Sequence, residues 1–174
     1  MILNLAILII FPFAMVYAAS SDLISMTIAN RVSIVLVLSF PVVALATGLP
    51  LSEIGLHFGV GLLCLLVTFG FFAAGWMGGG DAKLMAATVI WFGPSTDLIE
   101  YLLLGSIFGG FLTIGLLISR MMLAPATGVF FIDRLLDRDT GIPYGIALGA
   151  AGLTVYSDSV WMNAALRSLA HAPF

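Results

Sequence analysis

A chain of 174 residues that is 61% hydrophobic and 9% charged, with a mean hydropathy of +1.19, cannot cover a globular surface with polar groups. That excludes a large soluble domain, and a net charge of −3 without a basic block gives no reason to expect a nucleic-acid partner. The chain belongs in a lipid bilayer, where about six spans of ~20 residues would use nearly all of 1–174 as one integral-membrane domain.

In chain order, the first apolar run covers 2–20. Val16-Tyr17-Ala18 has the small-residue look of a signal cleavage site, but Met1-Ile2-Leu3-Asn4 carries no basic side chain and the run is longer than a typical signal core, so it reads as a retained span. A polar stretch, Ser20-Ser21-Asp22, leads through Thr27-Ile28-Ala29-Asn30-Arg31 into a second run, 31–49. There Asp22 is expected to open a short connection.

A third run, 54–76, contains the chain's one cysteine, Cys64, which has no partner for a disulfide or zinc cluster and reads as a small buried hydrophobe. Gly78-Gly79-Gly80-Asp81-Ala82-Lys83 follows. The fourth run, 82–93, is only about a dozen residues long before Gly93-Pro94, short of the usual ~17 for a span. The fifth covers 98–119.

From Arg120 to Ile142 runs the longest polar connection, in which Phe130, Phe131, Leu135 and Leu136 are interspersed with Asp133, Arg134, Asp137, Arg138 and Asp139. That suits a helix in the membrane interface, with a docking surface for a partner as the second reading. A sixth run, 143–160, completes an all-α, polytopic membrane architecture. Gly55/Gly59, Gly105/Gly109 and Gly145/Gly149 fall at the spacing that lets membrane helices approach closely.

Six crossings with both termini outside put Arg31, Lys83, Arg120, Arg134 and Arg138 on the cytoplasmic side and leave only Arg167 opposite. Omitting the fourth crossing destroys that asymmetry. The positive-inside tendency therefore favours six, with a short or tilted fourth span.

The same orientation brings Asp22 and Asp81 to the cytoplasmic side. Asp81 alone could be a helix N-cap. Three glycines before it are more than a cap requires, and Gly78, Gly79 and Gly80 would form a loop open to an extended peptide backbone. Two carboxyls sharing a partly dry site share a proton, so one can act as base on a water while the other protonates a scissile carbonyl oxygen. Glu53, Asp97 and Glu100 lie on the other side and read as span-boundary residues.

Gly78-Gly79-Gly80-Asp81 matches the Gly-x-Gly-Asp motif of membrane aspartic peptidases. Together with an early Asp after span one, a Thr-Ile-x-Asn-Arg segment and a late Gly141-Ile142-Pro143-Tyr144-Gly145, it makes the chain resemble the type IV prepilin peptidase family over essentially its whole length. The similarity is greatest to the small, peptidase-only branch serving Flp-type pili of tight-adherence systems. The resemblance implies that Asp22 and Asp81 are the catalytic pair of an aspartic endopeptidase. Its substrates would be Flp-type prepilins and pseudopilins, cut at the cytoplasmic face of the bacterial inner membrane without metal or organic cofactor.

Two departures stand out. Ala29 occupies a position where the family often has Pro. The paired CxxC motifs of the bifunctional, N-methylating members are also missing. Ser21 before the first Asp separates the chain from the eukaryotic intramembrane branch, which has Tyr there.

Among possible supporting residues, Asn30 could orient an Asp or cap span two. Lys83 should point away from Asp81 and reach the headgroups, with substrate carboxylates as a second role. Arg31 reads as a positive-inside anchor, and His57 has no neighbouring ligand set for a metal. A different class of function, a small transporter or channel subunit with Asp22 and Asp81 as a proton or cation site, would require carboxylates nearer mid-membrane.

Overall fold

Backbone N–H and C=O groups in lipid must pair within the segment, so apolar runs of this kind are driven into helices. A computed structural model describes residues 2–170, and the described residues form α1 Ile2–Ser25, α2 Asn30–Ala46, α3 Leu51–Ala73, α4 Gly79–Phe92, α5 Thr96–Met122, α6 Phe130–Leu136, α7 Tyr144–Asp158 and α8 Val160–Ala170, with no strand among them. Helices α1, α3 and α5 are long and apolar enough to cross a membrane, and α2 is a shorter apolar helix. At about 1.5 Å per residue, the 14 residues of α4 and the 15 of α7 extend only ~21–23 Å.

The short α4 sits at the centre. It packs on α2, α3, α5 and α7, and it is buried continuously from Ala86 to Phe92. A helix that is apolar all round and enclosed by others has no lipid contact to match in length, which is why its brevity is tolerated. Around it α1 packs on α2, α7 and α8, while α3 leans on α4 and α5 on α7.

No substantial contact joins α3 to α5. A cleft therefore opens between the pair α3/α4 and the pair α5/α7.

Away from the two carboxyls, five aromatic rings lock the bundle. Phe11 stacks on Tyr156 at 4.1 Å and meets Trp91 edge-on at 5.5 Å, and Trp91 contacts Phe40 and Trp161 at 5.8 and 6.1 Å. Every polar handle there is used: Trp91 Nε1 donates to Leu36 O, Trp161 Nε1 to Trp91 O and Tyr156 Oη to Ile7 O. After a bend at Ser159, α8 turns Trp161 and Ala165 inward, and Asn4 donates to Ser168 Oγ at 2.8 Å. The start of α1 and the end of α8 thus share one end of the bundle.

Small residues do part of the packing expected of them. A Cβ on Gly105 would meet Leu148, one on Gly109 would run into Tyr144, and one on Gly149 would lie 2.9 Å from Met15 O. Gly55 and Gly59 face open space, so that pair makes no helix contact, and the close approach on α3 is made instead by Gly61 against Ile90. Cys64 is half-buried on the cleft wall, not sealed in a core.

Two boundaries near the Asp residues differ from the sequence expectation. Asp22 lies inside α1, which continues to Ser25 before the chain reverses at Met26 with φ 55°. Ser21 Oγ donates to Thr27 O at 2.8 Å and fastens that reversal. The glycine run, expected as a loop, is mostly helix, because α4 begins at Gly79.

Candidate active site

Asp22 is 5% exposed in the last turn of α1, where its Oδ2 accepts the amide of Gly145 at 2.7 Å. Pro143, which has no amide to leave unpaired, precedes the first turn of α7, so Gly145 presents one of that helix's free N–H groups. Only glycine fits: a Cβ there would lie 2.8 Å from Asp22 Oδ2 and 2.9 Å from Asp22 Cβ. In the sequence, Gly145 belongs to the Gly141-Ile142-Pro143-Tyr144-Gly145 segment and to a small-residue pair with Gly149. Its contact with Asp22, across 123 residues of chain, had no local signal.

Asp81 is the third residue of α4. Gly78, not Asp81, is the N-cap, and the Asp81 carboxylate reaches back to the Gly78 amide in the manner of the acidic partner of a capping box. The three glycines each remove a clash within the protein. A Cβ on Gly78 would lie 2.7 Å from Asp81 Oδ2, one on Gly79 3.2 Å from the Phe72 ring, and one on Gly80 3.2 Å from Ile28 Cβ. None of the three has positive φ; that conformation falls on Gly75, in the turn before α4.

Ile28, known from the sequence only as part of the Thr-Ile-x-Asn-Arg segment, acts as a spacer. Its side chain lies against both Gly80 and Gly145, and so sits between the N-termini of α4 and α7. A side chain at either position would run into Ile28 and push apart the starts of α4 and α7.

Asp22 and Asp81 line a single cavity of about 1220 Å³. The cavity occupies the cleft between α3 and α5. Val60, Leu63 and Val67 supply an apolar wall on one side and Leu98 and Leu102 on the other, while Arg120, Thr140 and Tyr144 bring polar groups to the end that holds the carboxyls. Such an arrangement can hold an apolar segment alongside a site capable of acid–base chemistry.

The remaining residues singled out from the sequence are placed elsewhere. Lys83 and Asn30 are both exposed and pair with each other, Nζ to Oδ1 at 3.1 Å, forming a strut between α4 and α2. Asn30 caps nothing, since Ala29 holds the N-cap position of α2. Arg31 is exposed. His57 donates from Nδ1 to Ile90 O at 2.7 Å and stacks on Phe40. Among the described residues no group of three His, Cys, Asp or Glu side chains could hold a metal ion.

The long connection folds back under the carboxyl-bearing end. Asp133 accepts from Thr127 Oγ1, Thr127 N and Gly128 N, and the Thr127 hydroxyl, followed by the amides, holds its carboxyl below the usual range. Arg134 stacks over Phe130 at 4.5 Å and donates to Ile24 O at the end of α1.

The family model of the type IV leader peptidase family matches residues 9–114, a stretch that contains Asp22, the glycine run and Asp81. Among curated proteins and among solved structures nothing matches the chain.

Proposed function

The chain belongs to the type IV leader peptidase family, and from that membership we propose that it is a membrane-embedded aspartic endopeptidase in which Asp22 and Asp81 are the catalytic pair. One observation carries the assignment: these two carboxyls, 59 residues apart in sequence, face the same cavity. Two such groups hold one proton between them. The ionised carboxylate takes a proton from water as the water oxygen attacks the scissile carbonyl carbon, and the protonated carboxyl donates to the carbonyl oxygen. Collapse of the tetrahedral intermediate breaks the C–N bond, and the leaving amine departs with a proton returned from the pair.

The Gly145 amide orients Asp22, and the Gly78 amide orients Asp81, so neither carboxyl depends on substrate for its position. A peptide bond inside a helix is shielded by its own hydrogen bonds, so the bond cut is presented extended. Gly78, Gly79 and Gly80 stand beside the pair and form the approach for that segment. Asn30 and Lys83 support the site from outside by holding α2 to α4.

The substrate is the leader of an Flp-type prepilin or pseudopilin, removed at the cytoplasmic face of the bacterial inner membrane. Six helices, α1 to α5 and α7, cross the bilayer, and both termini lie outside. The contact of Asn4 with Ser168 supports an even number of crossings, since Asn4 lies about 27 Å along α1 from Asp22. The proton or cation site of a transporter has less in its favour, because the two carboxyls sit near helix ends and the family is one of peptidases.

Co-expression with an Flp-type prepilin tests the reading. A leader-sized mobility shift should appear with the native chain and vanish with Asp22→Asn or Asp81→Asn. Processing by either variant would remove that residue from the catalytic pair.

A further inference from the structure

Arg120, in the last turn of α5, is 7% exposed, and its side chain faces the cavity that holds Asp22 and Asp81 as well as an adjoining one of about 490 Å³. Its Nε donates to Leu135 O at 2.8 Å and its Nη2 to Gly141 O at 2.9 Å. Both acceptors are neutral carbonyls, and no Asp or Glu among the described residues pairs with it. A buried cation without a counter-charge is costly, and a cation at a membrane-embedded site is retained for a function. The carbonyls also use only part of the guanidinium fork, whose remaining N–H groups suit a carboxylate.

Resting on the peptidase reading above, we propose that Arg120 is a specificity residue that binds an acidic side chain of the substrate. The location follows from the chain itself. Gly141, held by Arg120, is four residues before Gly145, whose amide holds Asp22. At about 3.3–3.6 Å per residue, the guanidinium stands no more than about six extended residues from the carboxyl pair. A substrate Asp or Glu within that distance of the scissile bond meets the unused N–H groups, and the pair formed in a partly dry cavity neutralises the buried charge.

The test uses the full-length enzyme and an Flp-type prepilin in detergent micelles. Each Asp and Glu within six residues of the cleavage site is changed to Asn or Gln, and kcat/KM is measured with the native enzyme, Arg120→Gln and Arg120→Lys. One acidic residue should matter to the native enzyme, its loss lowering kcat/KM about tenfold or more, mainly through KM. The same substrate change should have little further effect on Arg120→Gln, and Arg120→Lys should retain part of the dependence.

Equal losses for all substrates with Arg120→Gln would assign Arg120 to holding the 135–141 connection alone and overturn the proposal. The substrate variants leave the enzyme unaltered, so a folding defect in Arg120→Gln cannot mask the native enzyme's preference. No cleavage by the native enzyme would instead remove the peptidase reading, and with it the proposal.

Discussion

The two ends of the helix bundle solve opposite problems with different residues. Around Trp91, aromatic rings from α1, α2, α4, α7 and α8 fill the interior, and each polar atom on them has a main-chain acceptor. Around Asp22 and Asp81 the helices separate into a cavity, and the side chains that meet are glycine, isoleucine and carboxylate. The first end holds the helices in fixed positions. The second depends on those positions being fixed. The contrast shows how a chain with little charge can keep ionisable groups at a membrane site: rigidity is built about three turns away, and room is left at the carboxyls.

Substitutions that attack one end should spare the other. The largest effect expected is from Trp91→Ala, which removes the central ring and should cost about 3–5 kcal/mol. Thermal unfolding in detergent would report that loss, while the activity of the molecules still folded should change little. At the other end, Gly145→Ala puts a Cβ against Asp22. Cleavage should fall about 100-fold from displacement of the carboxyl by a fraction of an ångström, with the unfolding temperature nearly unchanged.

Tyr156→Phe is milder. It deletes the hydroxyl that donates to Ile7 O and should destabilise by about 1 kcal/mol without altering cleavage. The smallest effect concerns the connection beneath the site. Asp133 has a carboxyl held below its ordinary value by Thr127 and Gly128, so the ionised form stabilises that turn above roughly pH 4 and the contribution is lost as pH falls through the lowered value. The amide shifts of Thr127 and Gly128 should titrate on that schedule in the native chain and stay flat in Asp133→Asn. Cleavage at neutral pH should hardly differ between the two.

The helical architecture was legible because apolar runs in a bilayer have few alternatives: α1, α3 and α5 emerge within a few residues of the sequence estimate. Helix α4 was ambiguous by length alone, since a central helix answers to its neighbours and not to bilayer thickness. Asp22 and Asp81 stood out because ionisable residues are scarce here.

What supports them was not legible. Gly145 and Ile28 act across the tertiary fold, and no periodicity or spacing in one chain records that a glycine lies against a carboxylate 123 positions earlier. The triple glycine was noticed for its backbone freedom, yet its residues take ordinary helical and extended conformations and serve close packing against Asp81, Phe72 and Ile28. Cys64 looked like core from its apolar neighbours, but α3 is peripheral and turns that side to the cleft. Arg120 was counted only as a marker of orientation, because its burial depends on a connection that closes over it from fifteen residues downstream.

The most direct measurement compares leader removal by the purified native chain, Asp22→Asn and Asp81→Asn on one reconstituted Flp-type prepilin, with thermal unfolding of each run alongside. Both variants should unfold within a few degrees of the native chain and lose cleavage by about 10³-fold or more, the magnitude expected when a general acid or base is removed. Retention of near-native cleavage by either variant, in a folded state, would contradict a shared catalytic role for the two carboxyls.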